Sequence, residues 1–420
     1  MNAKILGVAM ALLVGAGTIT ADDWPAFRGP AGTGVSSEKS APTTWAPDKN
    51  IKWKVALPHE GNGSPIVSNG RVFVTDADGL EGKTRSLYCF DRKDGKQLWV
   101  KTINFGKVMP THLTNPHSPS TPAADGKKVV VWHGSAGLHC YDFEGKALWS
   151  RDLGAFDHDW GEGTSPVIHE GRIFLNSGPS KKKVFVAAFK LDTGETLWEK
   201  EEPFKGTGFK NENDQFMGSW CTPLIVKADG KDQVIVAMAA RLISFAPEDG
   251  KLNWSSEGLR FNSGDLSYSS PVLAGDIVVT VGGYGGPGMG VKLGGSGDVT
   301  ATNRVWRNPK SQQSIGSGIV VGNHLYMPWE GSIIECLDPK TGKSVWKERQ
   351  KGPFWGSIVM AGGNAYVTDQ AGRTVVFKPN PEKFEGVAVN ELGEKSNSTP
   401  AISDGQIFLR TFKNLYCIGE

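Results

Sequence analysis

The residues with the greatest chemical reach in this 420-residue chain gather in short irregular segments between apolar runs. His59-Glu60-Gly61-Asn62 is one such segment, His112 with Asn115 and His117 a second, and Asp157-His158-Asp159-Trp160 with Glu162 a third. Asn213-Asp214 with Trp220, Asp265 with Tyr268, Gln312-Gln313, Trp355 and Asn397 continue the series. Imidazole nitrogens and carboxylate oxygens ligate Zn²⁺ and similar ions when brought within a few ångströms, so His112, His117, Asp157 and His158 could form a metal centre. Trp160, Trp220 and Trp355 offer apolar faces beside Asp and Asn hydrogen-bonding groups, which would instead suit a sugar or peptide cradle. Polar loop residues also satisfy one another and water without any ligand. The candidate binding set is therefore His59, His112, Asn115, His117, Asp157, His158, Asp159, Trp160, Trp220 and Trp355, with no catalytic residue assigned.

Several other chemistries lack their sequence context. No Gly-x-Ser-x-Gly occurs between a strand and a helix. The Gly-rich run Gly282 to Gly290 continues into Val291-Lys292-Leu293-Gly294-Gly295 with no helical pattern, so no helix N-terminus could face a phosphate. It reads as a long mobile loop between two strands. A formal charge of +2 and no basic block beyond Lys181-Lys182-Lys183 argue against a nucleic-acid partner.

The elements that must position these segments are repeats. A turn ending in Gly and a Trp four residues later recurs as Gly95/Trp99, Gly145/Trp149, Gly194/Trp198, Gly250/Trp254 and Gly342/Trp346. Trp53 and Trp306 occupy the same place after degenerate turns. A second marker is Ser or Thr before an apolar strand, usually with Pro between: Ser64, Thr121, Ser165, Thr222, Ser270 and Thr399, with Pro-less versions at Ser317 and Ser357. Each unit reads as four strands, and 54 Gly and 14 Trp with only 21% charged residues suit many short strands and tight turns. Such self-similarity predicts an all-β, eight-bladed β-propeller of four-stranded repeats. Ile51 to Leu57 is a Trp strand with nothing before it, and Tyr416-Cys417-Ile418 is a third strand with nothing after it. The two ends should complete one blade, leaving no open stack edge. The Trp residues are expected to pack blade against blade rather than to touch ligand.

Cys89, Cys140, Cys336 and Cys417 share one repeat position, held elsewhere by Ala188 and Ser244. That position wants a small residue, and equivalent positions on separate sheets lie too far apart for a disulfide. Free, buried thiols are expected, Cys221 included. No Cys pair has metal-ligand or haem-attachment spacing.

Lys4 followed by the apolar run Ile5 to Ala16 reads as a secretory signal with cleavage near Ala21. No Cys follows the run to take a lipid, and no later stretch is long and apolar enough to span a bilayer. Residues 22–50, rich in Gly, Pro, Ser and Thr, are expected to lie across the propeller of residues 51–420 as an extended strap, with Arg28 paired to a carboxylate or solvated.

The recurring Leu-x-small-x-Asp-x-x-x-Gly-x-x-x-Trp resembles the pyrroloquinoline-quinone (PQQ) repeat family over essentially the whole mature chain. Within it the chain resembles the secreted BamB-like propellers, relatives of the outer-membrane assembly lipoprotein. Trp24-Pro25-Ala26-Phe27-Arg28-Gly29-Pro30, Gly297-Asp298-Val299-Thr300 and Leu415-Tyr416-Cys417-Ile418-Gly419 resemble a subgroup common in planctomycete-type bacteria. The BamB resemblance implies a periplasmic or secreted monomeric scaffold that presents a loop face to a protein or cell-envelope ligand, with no resident cofactor. The repeat's name implies the alternative, a quinoprotein-like oxidoreductase holding PQQ with Ca²⁺, carboxylate and amide ligands and often a ring made by two adjacent Cys. This chain has no adjacent Cys pair and lacks the long blade insertions of those enzymes. A metal-dependent enzyme built on His112, His117, Asp157 and His158 is the remaining reading.

Overall fold

The structure, a computed structural model, describes residues 23–202 and 217–420. The signal segment read from residues 1–21 and the Asn213-Asp214 pair lie outside the described residues. Eight sheets, each built on four antiparallel strands, form the eight blades of a propeller. Blade 1 comprises Ile66–Ser68, Arg71–Ala77, Thr84–Asp91 and Gln97–Asn104. Blades 2 to 7 begin at Ala123, Val167, Leu224, Val272, Ile319 and Val359. Blade 8 joins Ala401–Ser403, Gln406–Arg410 and Asn414–Ile418 to Ile51–Ala56, which pairs antiparallel with the last of these and sets Trp53 opposite Cys417. Helix among the described residues amounts to Thr300–Asn303 and the 3-10 turn Gly134–Ala136.

Blade contacts explain the Gly and the Trp together. The indole N–H of each docking Trp donates to a backbone carbonyl in the next blade's last turn: Trp53 to Arg92, Trp99 to Phe143, Trp149 to Leu191, Trp198 to Pro247, Trp306 to Pro339 and Trp346 to Asn380, at 2.8–3.0 Å. For five of the six the ring lies on that turn's glycine, whereas Trp346 meets Phe384. A Cβ on Gly194 would stand 2.5 Å from Trp149, and one on Gly250 2.6 Å from Trp198, while both glycines hold φ near +70°. Glycine therefore meets two demands, a left-handed turn and a flat seat for an indole. The small-residue position is the third part of the lock: Cys89, Cys140, Ala188, Ser244, Gly290, Cys336 and Cys417 lie directly opposite a Trp in the ladder. Cross-strand neighbours share one face, so a wide indole needs a small partner. All five cysteines are free and buried, and burial pushes their thiols up to about 11–12.

Two blades depart from this pattern. Trp254 donates to Gln233 of its own blade at 3.0 Å, because the turn it would meet is replaced by residues 293–303. Gly297–Asp298 in that excursion runs parallel to Trp254 and Ser255 as a fifth strand of blade 4. In blade 7, Ala388 stands opposite Val376 where a Trp is expected. There the N-terminal segment covers the strand: Asn390 accepts the Trp45 N–H at 2.9 Å and donates to the Thr43 carbonyl at 3.0 Å.

The same segment crosses the propeller axis. Trp24 exchanges backbone hydrogen bonds with Val67 of blade 1, and the Pro25 carbonyl accepts from Ala124 of blade 2. The Arg28 guanidinium reaches the Gly318 carbonyl beside blade 6, Ser36 donates to Met360 of blade 7, and Glu38 accepts from Asp404 and Gly405 of blade 8. Arg28 is thus neither ion-paired nor solvated. It is 2% exposed at φ +63°, donates only to carbonyls, and burial lowers its pKa to about 9. The Gly-rich run also differs from the long loop expected. Gly288–Lys292 is a strand, and residues 282–287 are a tight turn tied by Gly282 to Pro287, Gly283 to Leu266 and Gly286 to Gly283. Glycines without side chains let backbone meet backbone there, and Gly290 must stay bare beneath Trp306.

Candidate functional site

The Ser/Thr marker forms a belt around the channel. Ser64 N–H donates to the Thr121 hydroxyl, Thr121 N–H to Ser165, Thr222 to Ser270, Ser270 to Ser317, Ser317 to Ser357, Ser357 to Thr399, and Thr399 back to Ser64, at 2.9–3.0 Å. Seven of the eight blade junctions thus carry the same bond. A short side chain that accepts hydrogen bonds is required at each, which is why only Ser and Thr occur.

Directly above the belt lies a cavity of about 320 Å³. Each blade lends it the residue two positions before its marker. On the blades 8 and 1 side these are Asn397 and Asn62; across the channel, at blades 4 and 5, they are Trp220 and Tyr268. Between them stand Pro119, Gly163, Ile315 and Trp355. The intervening residues are small (Gly, Ser, Thr or Cys). Gly163 is needed for its size, because a Cβ there would lie 2.7 Å from the Trp220 ring.

The aromatic half is extended by Trp160 and Tyr284. Trp220 lies 5.3 Å from Tyr268 and 6.0 Å from Trp160, and Trp160 lies 5.3 Å from Tyr284. The Trp220 indole donates to the Gly161 carbonyl at 2.9 Å, and His158 supports the pair edge-on from behind. The opposite half is a relay of side-chain amides: Gln370 donates to Asn397, Asn397 to Asn62, and Asn62 to Asn115, each at 3.1 Å. Asn115 then donates to the Trp160 and Glu162 carbonyls, which joins the amide half to the aromatic half. On the remaining arc, Trp355 donates to Glu330 at 3.1 Å.

Of the ten residues singled out from the sequence, His112, Asn115, Trp160, Trp220 and Trp355 line this cavity. The other five do not. His59 pairs with buried Asp76 at 2.9 Å, Asp159 with Lys181 at 2.8 Å on the exposed rim, and Asp157 faces Ser180 at 3.5 Å. His158 lies beneath the rings, and its Nδ1 accepts the Trp160 N–H at 3.2 Å. His117 is buried with Nε2 on the Met109 carbonyl at 3.1 Å, and burial plus the Arg85 charge pushes its pKa down to about 4. The proposed metal centre of His112, His117, Asp157 and His158 therefore does not assemble, because each side chain is drawn to a different local partner. Among the described residues the one group with metal-ligand geometry is His169, Glu170 and Asp232, at the far face. His169 and Asp232 already satisfy each other at 2.8 Å, with Lys227 at 3.7 Å from Asp232.

Asn62, Tyr268 and Asn397, named from the sequence among the loop segments but left out of the binding set, also line the cavity; the residues missed are Tyr284 and Phe27, the latter closing the cavity from beneath. Asn62, Tyr268 and Asn397 follow from one signal, the position two before each Ser/Thr marker.

A family profile described as outer membrane protein assembly factor BamB matches residues 35–104 and 83–348. The chain belongs to this BamB-like, PQQ-repeat family. Among solved structures it is similar to a europium-containing methanol dehydrogenase, with a TM-score of 0.68, 12% identity, and coverage of 95% of this chain and 98% of that one. It is similar also to BamB from Moraxella catarrhalis (TM-score 0.59, 12% identity, 87% and 96% covered). A third likeness is the quinohemoprotein alcohol dehydrogenase from Comamonas testosteroni (0.67, 12%, 95% and 81%). At such identity the likeness shows the fold alone. No curated protein sequence matches the chain.

The BamB-like family and its dehydrogenase look-alikes pose the cofactor question at the cavity wall. PQQ is an anionic tricarboxylate, and a quinone-bound cation needs carboxylate ligands. Among the described residues lining the cavity there is no Lys or Arg, and Glu162 is the one carboxylate. Glu162 is turned toward the Ser135 N–H at 3.0 Å and Arg85 at 3.9 Å, and burial raises its pKa. The described lining does not fit a quinone with its metal.

Proposed function

We propose that this chain is a binding propeller of the periplasm or cell exterior, acting as a monomer and presenting its channel mouth to a protein or cell-envelope ligand. The observation that carries this reading is the cavity's two-sided wall, aromatic at blades 4 and 5 and amide at blades 8 and 1. Concave apolar surface with a few fixed hydrogen-bonding groups is what organic-ligand sites use. No helix among the described residues is long and apolar enough to cross a membrane, which accords with a chain that meets its ligand from the aqueous side.

Binding of the purified protein to cell-envelope fractions and to envelope proteins tests the reading, with Trp160→Ala and Trp355→Ala in parallel. Retention by wild type and its loss in the variants is the expected result; equal behaviour of all three removes the mouth from the function. The oxidoreductase reading, favoured by the fold likeness, is checked by adding PQQ and Ca²⁺ and by elemental analysis. Neither quinone nor metal is expected in stoichiometric amount, and either one found so would replace the scaffold with an enzyme.

A further inference from the structure

Resting on that binding reading, we infer that the cavity takes the terminal units of a neutral glycan chain inserted end-on along the propeller axis. Four observations converge. The described lining carries no cation and one carboxylate, already engaged, so neither an anionic nor a strongly cationic ligand finds a counter-charge. The Trp160, Trp220 and Tyr268 rings, 5.3–6.3 Å apart, offer the apolar faces against which the C–H face of a sugar ring packs. Opposite them, the relay through Asn397, Asn62 and Asn115 points every amide one way before any ligand arrives. Hydroxyl-rich ligands use such fixed donors and acceptors, and pre-organisation spares the entropy of ordering them. Below, seven of the eight belt hydroxyls accept a backbone N–H, which leaves their own protons for an acceptor in the channel.

The end-on geometry comes from the floor. Phe27 bounds this cavity on one side and the far-face cavity on the other, carried there by the segment that runs from Trp24 at blade 1 to Arg28 beside blade 6. The channel is a cup open at one end. A polymer can enter it by a terminus but cannot thread through. A quaternary ammonium ligand would also suit an aromatic cage, but it has no hydrogen bonds for the amide wall.

The test is titration with neutral oligosaccharides, mono- to hexasaccharides of hexose and N-acetylhexosamine, followed by tryptophan fluorescence and calorimetry. Cyclic oligosaccharides of the same sugars and choline serve as contrasts. Affinity is expected to rise over the first units and then level off, cyclic forms are expected not to bind, and Trp160→Ala is expected to weaken binding about tenfold or more. Phe27→Ala, which opens the floor, is expected to move the plateau to longer chains. Equal binding of cyclic and linear forms overturns the end-on geometry, and saturation by choline overturns the glycan. Absence of glycan binding, with envelope binding intact in wild type and lost in Trp160→Ala, overturns this inference and leaves the binding reading standing. Absence of both overturns the two together.

Discussion

The outer rim and the channel mouth are built by the same eight repeats to opposite rules. At the rim, six blades place an indole on the next blade's turn with the same bond, five of them on a glycine, and each has a small residue opposite it in the ladder. At the mouth, the equivalent positions hold Asn, Pro, Gly, Trp, Tyr, Ile, Trp and Asn. Uniformity at the rim follows from a shared packing task, and diversity at the mouth follows from its absence. What a repeat protein repeats is its interface, and what it varies is its site.

Exchanging the two kinds of Trp should break this comparison most sharply. Trp198→Ala removes a ring 6% exposed between blades 3 and 4 and is expected to cost about 3–5 kcal/mol in chemical unfolding. Trp160→Ala, half-buried among the mouth's rings, should cost less, about 1–2 kcal/mol, while abolishing ligand retention. If both variants lose stability equally, the mouth is structural. Gly194→Val comes next. It puts a branched Cβ into the Trp149 ring at φ +69°, and a lower melting temperature equivalent to about 3 kcal/mol is expected. Ser357→Ala removes the belt acceptor of the Ser317 N–H, and about 1–3 kcal/mol should be lost. Because the belt also lines the cavity, that variant links the two regions.

A further effect is on pH. His117 is held neutral in the fold with its pKa near 4. Below its ordinary value of 6.5 the unfolded chain takes a proton that the folded chain refuses. Stability should therefore fall as pH drops from about 6.5 to 4, by no more than about 1.4 kcal/mol per pH unit from this group, and level off below. His117→Gln, which keeps a donor for the Met109 carbonyl, should flatten that part of the curve in denaturant titrations at stepped pH.

The rim was legible in the sequence because its physics is local and recurrent. A Gly, a Trp four residues on and a small residue one strand earlier can be aligned by eye, and eight blades follow. The mouth was half legible. Trp160, Trp220 and Trp355 stood out as rings in polar loops, whereas Asn62 and Asn397, named in the same series, stayed outside the binding set because only the fold puts them side by side. His117 and Asp157 misled for the converse reason. Residue type suggested ligation, but burial under neighbouring loops and nearby carbonyl or hydroxyl partners claimed them first. The composition of residues 22–50 suggested a strap across the propeller, but nothing local said that Phe27 would sit under the axis or that Arg28 would be buried on carbonyls.

Blade 8 takes three strands from one end of the described chain and its fourth, Ile51–Ala56, from the other. During synthesis the early strand therefore waits, unpaired, while seven blades are made. Until Asn414–Ile418 arrives, the ring has two raw flanks, and the Trp53 seat on blade 1 can be taken before the Trp53 ladder exists. Assembly of this molecule is thus a race between ring closure and capture of an open edge by another chain. A chaperone that shields Ile51–Ala56 would favour closure, whereas a cut in the final strand would leave a ring able to associate edge to edge.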